Sequence, residues 1–231
     1  MEFDRFGDDG DPTLLVVLGW GNRTHHEPVR WLIDHFSEGF HVHTATLPVH
    51  VTDVQAEWVR PVERYAADLD SPALLGHSAG GLTAAHADVD ARTRTYLSPW
   101  WGYPPATRGP HVDLLARVPL DAKLLPSGIN AKALGEHATE RQVEETPARV
   151  SPRFLRATRR AHESVPEVDE DAVVFCSLSD RVVSLRAIGD RVSSERLVVY
   201  DGGHELFSSR SREAHLDTLL AVCEAGPDAL D

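Results

Sequence analysis

A chain of 231 residues with 42% hydrophobic content can bury a substantial core, and no apolar run in it approaches the roughly 20 residues a membrane-spanning helix needs. Its 36 acidic against 23 basic residues give a formal net charge of -13, which disfavours nucleic acid and anionic membranes as partners. Cys176 and Cys223 are too few for a disulfide framework and lack metal-ligand spacing. Residues 1–12 are acidic, with no basic start followed by an apolar stretch, so no secretory signal and a cytoplasmic location are expected.

Short apolar runs then alternate with helix-like stretches, the pattern of a parallel sheet with crossover helices. Residues 14–18 are a wholly apolar run, the expected first strand. The loop "GWGN" follows, then a helix over 28–36, with Pro28 in its first turn and Gly39 past its end. A second strand is expected over 40–47. Val54, Trp58, Val62, Tyr65 and Leu69 recur at helical spacing, with Pro61 inside that pattern as a kink. A third strand over 73–75 leads into "GHSAGGLTAAH". A fourth, over 95–97, ends in the loop "SPWWGYPP". About 70 residues without a clear strand come next. Residues 102–171 are expected to form a lid insertion within a single domain spanning 1–231, and Val112, Leu114, Leu115, Val118 and Leu120 could begin a lid helix that Pro119 interrupts. A fifth strand over 173–178, a sixth over 196–200 and a closing helix over 211–223 complete the chain.

Gly76-His77-Ser78-Ala79-Gly80 is a G-x-S-x-G pattern in strand–turn–helix context. A serine on so sharp a bend needs small neighbours two residues to either side, where strand and helix nearly touch, and Gly76 and Gly80 meet that need. A hydroxyl is a weak nucleophile until a base takes its proton. Of 13 histidines, His204 in "YDGGHELF" sits just after the last strand, from where it can reach Ser78 across the strand ends. His86 falls on the helix after the elbow, and His25, His26 and His50 are candidate pocket residues at most. The acid that fixes the imidazole tautomer is expected to be Asp180 in "CSLSDRVV"; Asp201 and Glu205, immediate neighbours of the base, read as structural. Two backbone N–H groups, of Ala79 and of Trp20 in "LGWGNRTH", are the expected oxyanion donors. His77 beside the bend, with Trp100 and Trp101, are expected pocket residues, and Tyr103 could join the two tryptophans in an apolar wall.

The order Ser78, Asp180, His204 and the motifs "LGWGN", "GHSAGG", "SDRVV" and "GGHELF" resemble the α/β-hydrolase superfamily over nearly the whole chain. The His-Glu-Leu run is similar to the one around the base in monoacylglycerol lipases and lysophospholipases. The resemblance implies an α/β-hydrolase fold, here with six mostly parallel strands, because too few residues precede residue 14 for the family's two N-terminal strands. The usual His-Gly before the oxyanion loop is Leu18-Gly19.

The expected chemistry is cleavage of a small or medium carboxylic ester through an acyl-enzyme, needing no metal or organic cofactor. The same triad would also serve an amide, a thioester, a C–C bond or acyl transfer, and a non-catalytic small-molecule-binding protein is a further alternative. Only Lys123 and Lys132 among the basic residues are lysines. An acidic, lysine-poor composition is similar to that of proteins from salt-loving microbes, although a GC-rich genome would also favour arginine.

Overall fold

The computed structural model describes residues 1–104, 118 and 120–230. Strands β1 (Glu2–Phe6) and β2 (Thr13–Val17) precede helix α1 (Glu27–Phe36) and strand β3 (His41–Thr46). A π-helical turn (Gln55–Val59) runs into α2 (Arg60–Ala66), followed by β4 (Ala73–His77), α3 (Ala79–His86) and β5 (Thr93–Leu97). Strand β6 (Leu125–Pro126), helices α4 (Ala131–Leu134) and α5 (Glu140–Glu145), strand β7 (Arg149–Val150) and helix α6 (Pro152–Glu163) come next. Strand β8 (Val173–Ser177), α7 (Leu185–Gly189), β9 (Leu197–Tyr200) and α8 (Arg212–Ala225) close the fold.

The main sheet has seven strands in the order β1-β3-β2-β4-β5-β8-β9, and β6 and β7 form a separate antiparallel ribbon. Every pairing in the main sheet is parallel except β1 with β3. The side chains of β2 explain the layering. Leu14, Val16 and Leu18 join a core with Val29, Leu32, Ile33 and Phe36 of α1 and Leu219 and Val222 of α8. Leu15 and Val17 face the opposite core, with Trp58, Leu82, Phe154 and Ile188. A strand buried on both faces must be apolar at every position, which is why "LLVVL" stands out in the sequence.

The expectation of six strands is corrected by β1, which lies within residues 1–12. Glu2 pairs with Thr46 and Phe6 with Val42 at the sheet edge. Its sequence, EFDRF, is largely charged and solvent-facing, and only Phe3 and Phe6 are partly buried. Edge strands often carry such charges, which discourage pairing with other chains.

The helix expected over 53–69 is interrupted where Pro61 predicts. Proline has no N–H for the carbonyl four residues back, and just before it the Arg60 N–H reaches five residues back, to Gln55 O, in π geometry. Of the expected lid helix, Val112, Leu114, Leu115 and Pro119 lie outside the described residues. Among the described residues no helix is long and apolar enough to cross a membrane.

Candidate active site

The chain runs from β2 to β3 on one side of β2 and then to β4 on the other, so the sheet order reverses between β2 and β4. The loops leaving the carboxyl ends of those two strands therefore diverge to opposite faces and open a crevice, the usual ligand position in open α/β sheets. Trp20 leaves β2 there and Ser78 leaves β4 there.

Ser78 adopts φ 53°, ψ -116°, a strained conformation for a residue with a side chain. The surroundings fix it. Its N–H donates to Leu97 O at 3.0 Å, and its carbonyl accepts from the N–H groups of Leu82 and Trp100 at 3.1 and 2.9 Å. The flanking glycines are needed for contact, as the sequence implies. A Cβ on Gly76 would lie 2.8 Å from Gly81 Cα, and one on Gly80 would overlap the Val17 carbonyl. Gly19 is equally constrained, since a Cβ there would sit 2.9 Å from His77 Cε1.

The structure brings Ser78, His204 and Asp180 together. Ser78 Oγ donates to His204 Nε2 at 2.8 Å, and His204 Nδ1–H donates to Asp180 Oδ2 at 2.7 Å. Asp180 Oδ1 accepts from the N–H groups of Val182 and Val183 at 2.7 and 3.2 Å, which fixes the carboxylate plane. Both side chains of the His–Asp pair are almost entirely buried. Burial works against charge on His204, but the Asp180 carboxylate and, more weakly, Glu205 outweigh it and hold the imidazole above its ordinary value. Burial likewise opposes charge on Asp180; His204 and the two backbone donors override it and keep the carboxyl below its ordinary range.

The loop carrying His204 is tied down on several sides. Tyr200 Oη lies 2.7 Å from His204 O and 2.9 Å from Ser98 Oγ, and Ser177 Oγ donates to Gly202 O at 2.6 Å. Residues of α4 add a backbone clamp: the N–H groups of His204 and Glu205 donate to Ala133 O and Leu134 O, each at 2.9 Å.

Trp20 and Ala79 both line the cavity that opens on Ser78. Among the described residues, neither backbone N–H has a hydrogen-bond acceptor. The Ala79 N–H belongs to the first turn of α3, where helix geometry leaves it unpaired and the helix dipole favours negative charge. The cavity measures about 330 Å³, and Trp20, Trp100, Tyr103, Pro104, Leu125, Ile129, Phe154 and Val182 make its walls largely apolar. Ser127 and Arg181 add polar groups.

Two expected pocket residues lie elsewhere. Trp101 is buried behind α3, where its Nε1–H donates to Gly81 O at 3.2 Å and its ring meets Tyr96 at 4.9 Å. The ring of His77 is also buried, 5.1 Å from His204 and 4.9 Å from Phe207, and among the described residues neither nitrogen has a hydrogen-bond partner. Burial, reinforced by the nearby His204, pushes His77 well below the ordinary histidine range. It therefore stays neutral and places no second cation beside the base. Adjacent residues on an irregular loop have no periodicity from which to read facing, so the sequence could not separate Trp100 from Trp101.

The rival acids have other partners. Asp201 pairs with Arg210, and Glu205 accepts from Asn22, Gln142 and Ser208. His86 Nε2 lies 2.9 Å from Ala161 O. His25, His26 and Glu145 bring three potential metal-ligand atoms within 4.8 Å of one another. However, the Arg23 N–H donates to His26 Nδ1, so the neutral ring carries its proton on Nε2 and spends it on Glu145, which Arg141 also engages. The cluster is satisfied as a hydrogen-bonded clasp between the β2–α1 loop and α5.

Fold and site together define a chain of the α/β-hydrolase type. The model of the alpha/beta hydrolase family matches residues 14–215, and the chain belongs to that family. Its fold is similar to that of a monoacylglycerol lipase from Paleococcus ferrophilus, with a TM-score of 0.75 at 19% identity over 96% of this chain and 97% of that one. A soluble variant of monoglyceride lipase from Saccharomyces cerevisiae, in complex with a substrate analog, superposes with a TM-score of 0.69 at 16% identity over 96% and 90%. The enol-lactonase from Burkholderia xenovorans LB400 gives 0.61 at 14% over 95% and 94%. No curated protein matches the chain in sequence.

Proposed function

We propose that the protein is a serine hydrolase of small or medium carboxylic esters. The observation that carries this reading is the unbroken chain of hydrogen bonds from Ser78 through His204 to Asp180, beside two N–H groups without acceptors among the described residues. Ser78 Oγ attacks the ester carbonyl as its proton passes to His204 Nε2. Asp180 holds the Nδ1–H tautomer and stabilises the imidazolium that forms. The tetrahedral oxyanion accepts from the Trp20 and Ala79 N–H groups. His204 then protonates the departing alcohol, and a water activated by the same nitrogen releases the acid and restores Ser78.

The apolar walls support an acyl or aromatic group in the cavity, and its modest volume supports a small or medium one over a long chain. The described part of residues 102–171, which supplies Tyr103, Leu125, Ile129 and Phe154, acts as a cap of the same single domain. No metal or organic cofactor enters this scheme. A cytoplasmic location is supported by two buried, unpaired cysteines. A panel of p-nitrophenyl esters, thioesters and amides of graded chain length tests the reading. Short and medium esters are expected to be turned over fastest; turnover confined to thioesters or amides would replace the ester assignment.

A further inference from the structure

Glu205 stands immediately after the base, is only 1% exposed, and takes no part in the steps above. Its Oε1 accepts from Asn22 Nδ2 at 3.1 Å, and its Oε2 accepts from Gln142 Nε2 at 2.8 Å and Ser208 Oγ at 2.5 Å. All three partners donate, the arrangement that suits a carboxylate buried away from water. They come from separate parts of the chain: Asn22 from the loop that carries Trp20, Gln142 from α5 in the cap, and Ser208 from the turn after the base. Asn22 and Gln142 are themselves almost wholly buried.

We propose that Glu205 is a positioning residue, whose carboxylate locks the oxyanion loop and the cap helix α5 onto the loop that carries the base. This rests on the hydrolase reading above. Only Gly21 separates Trp20, a proposed oxyanion donor, from Asn22, so a slack Asn22 lets the Trp20 N–H drift from the point where negative charge develops. Neighbouring contacts support the same junction. Gly21 packs against Thr146 of the cap, and its positive φ of 90° suits only glycine well. The Asn22 N–H folds back onto Gly19 O at 3.0 Å. A carboxylate at this junction holds two loops in register and also adds negative charge beside His204, a charge that an amide of the same shape lacks.

The titratable groups against His204 are Asp180 after β8, His77 at the end of β4, Tyr200 at the end of β9, whose hydroxyl donates to the His204 carbonyl, and Glu205 on its own loop. Beside Asn22 stand Arg23, His25 and His26, the last two on Glu145 with Arg141. Of these, Glu205→Gln changes Glu205 alone: it removes the charge and turns one acceptor oxygen into a donor that faces the Asn22 or Gln142 amide.

The test is the pH profile of kcat and KM for p-nitrophenyl butyrate in the wild type, Glu205→Gln and Asn22→Ala. Glu205→Gln is expected to lose about 10- to 100-fold in kcat with KM little changed, because the oxyanion contact is made in the transition state. Its acid limb should also move to lower pH, since His204 loses a favourable charge. Asn22→Ala is expected to lose at least about 10-fold in kcat with the acid limb in place. A Glu205→Gln enzyme with wild-type kcat and an unmoved limb overturns the proposal. Should Glu205→Gln not fold, wild-type kcat in Asn22→Ala overturns it equally. A wild type inert toward both the ester and a fluorophosphonate would overturn the hydrolase reading itself, a result distinct from an active wild type with unaffected variants.

Discussion

Ser78, Asp180 and His204 lie far apart along the chain but end within hydrogen-bonding distance of one another, and each should answer differently to substitution. Ser78→Ala is expected to remove measurable ester hydrolysis. Asp180→Asn should cost about 10⁴ in kcat, because the amide favours the wrong imidazole tautomer; steady-state kinetics on p-nitrophenyl butyrate reads both. The pH dependence follows from the signs of the shifts. Burial lowers His204 and Asp180 raises it by more, so the imidazole binds its proton more tightly than a free histidine. Below that raised value Nε2 is protonated and cannot accept the Ser78 proton. The acid limb of kcat/KM should therefore lie above pH 6.5, the ordinary histidine value. A limb below 6.5 would show that desolvation prevails over the carboxylate. The meeting of Ser78, Asp180 and His204 is legible in the sequence because each follows a strand in the chain order of the superfamily. His77 and Trp101 could not be placed, since their facing depends on contacts with Phe207 and Tyr96 in other parts of the fold.

At the scale of elements, the buried strands were the clearest part of the sequence. Strands β2, β4 and β8 are apolar because helices cover both faces. Strand β1 was hidden for the opposite reason: it covers one edge, and its place is set by pairing with β3 rather than by any pattern of its own. Phe3 stacks on Tyr65 at 3.9 Å, and Arg5 donates to the Tyr65 hydroxyl at 3.2 Å. Deleting residues 1–6 should lower stability by about 2 kcal/mol, the scale of two phenylalanines each buried in part. Because the strand lies at the sheet edge opposite β9, three strands from β4, kcat/KM of the remaining folded protein should be unchanged; urea unfolding and kinetics at 25 °C read the two separately. The elbow behaves differently. Gly80→Ala puts a methyl group against the Val17 and Leu18 carbonyls and should cost about 1–3 kcal/mol, with activity lost as well because the shifted α3 carries Ala79, a proposed oxyanion donor. The contacts of α4 and α5 with the base loop were beyond sequence reading, since they join residues some 60 to 70 positions apart through backbone groups and one buried carboxylate.

For the whole molecule, the charge balance gives an expectation independent of the site. With 36 acidic and 23 basic residues, like charges repel in the compact state, and added salt screens that repulsion. The thermal midpoint should rise between 0.05 and 2 M KCl, and circular dichroism melts will show it; a midpoint that falls across that range would remove the halophilic reading of the composition. The central claim concerns the site at the carboxyl edge of the sheet, where loops from β2, β4, β8 and β9 converge. It is tested most directly by treating the folded protein with a fluorophosphonate and locating the adduct by peptide mass spectrometry. A single adduct on Ser78, absent in Ser78→Ala and formed far more slowly in His204→Ala, is the predicted result. A folded wild-type protein that carries no adduct on Ser78 would contradict it.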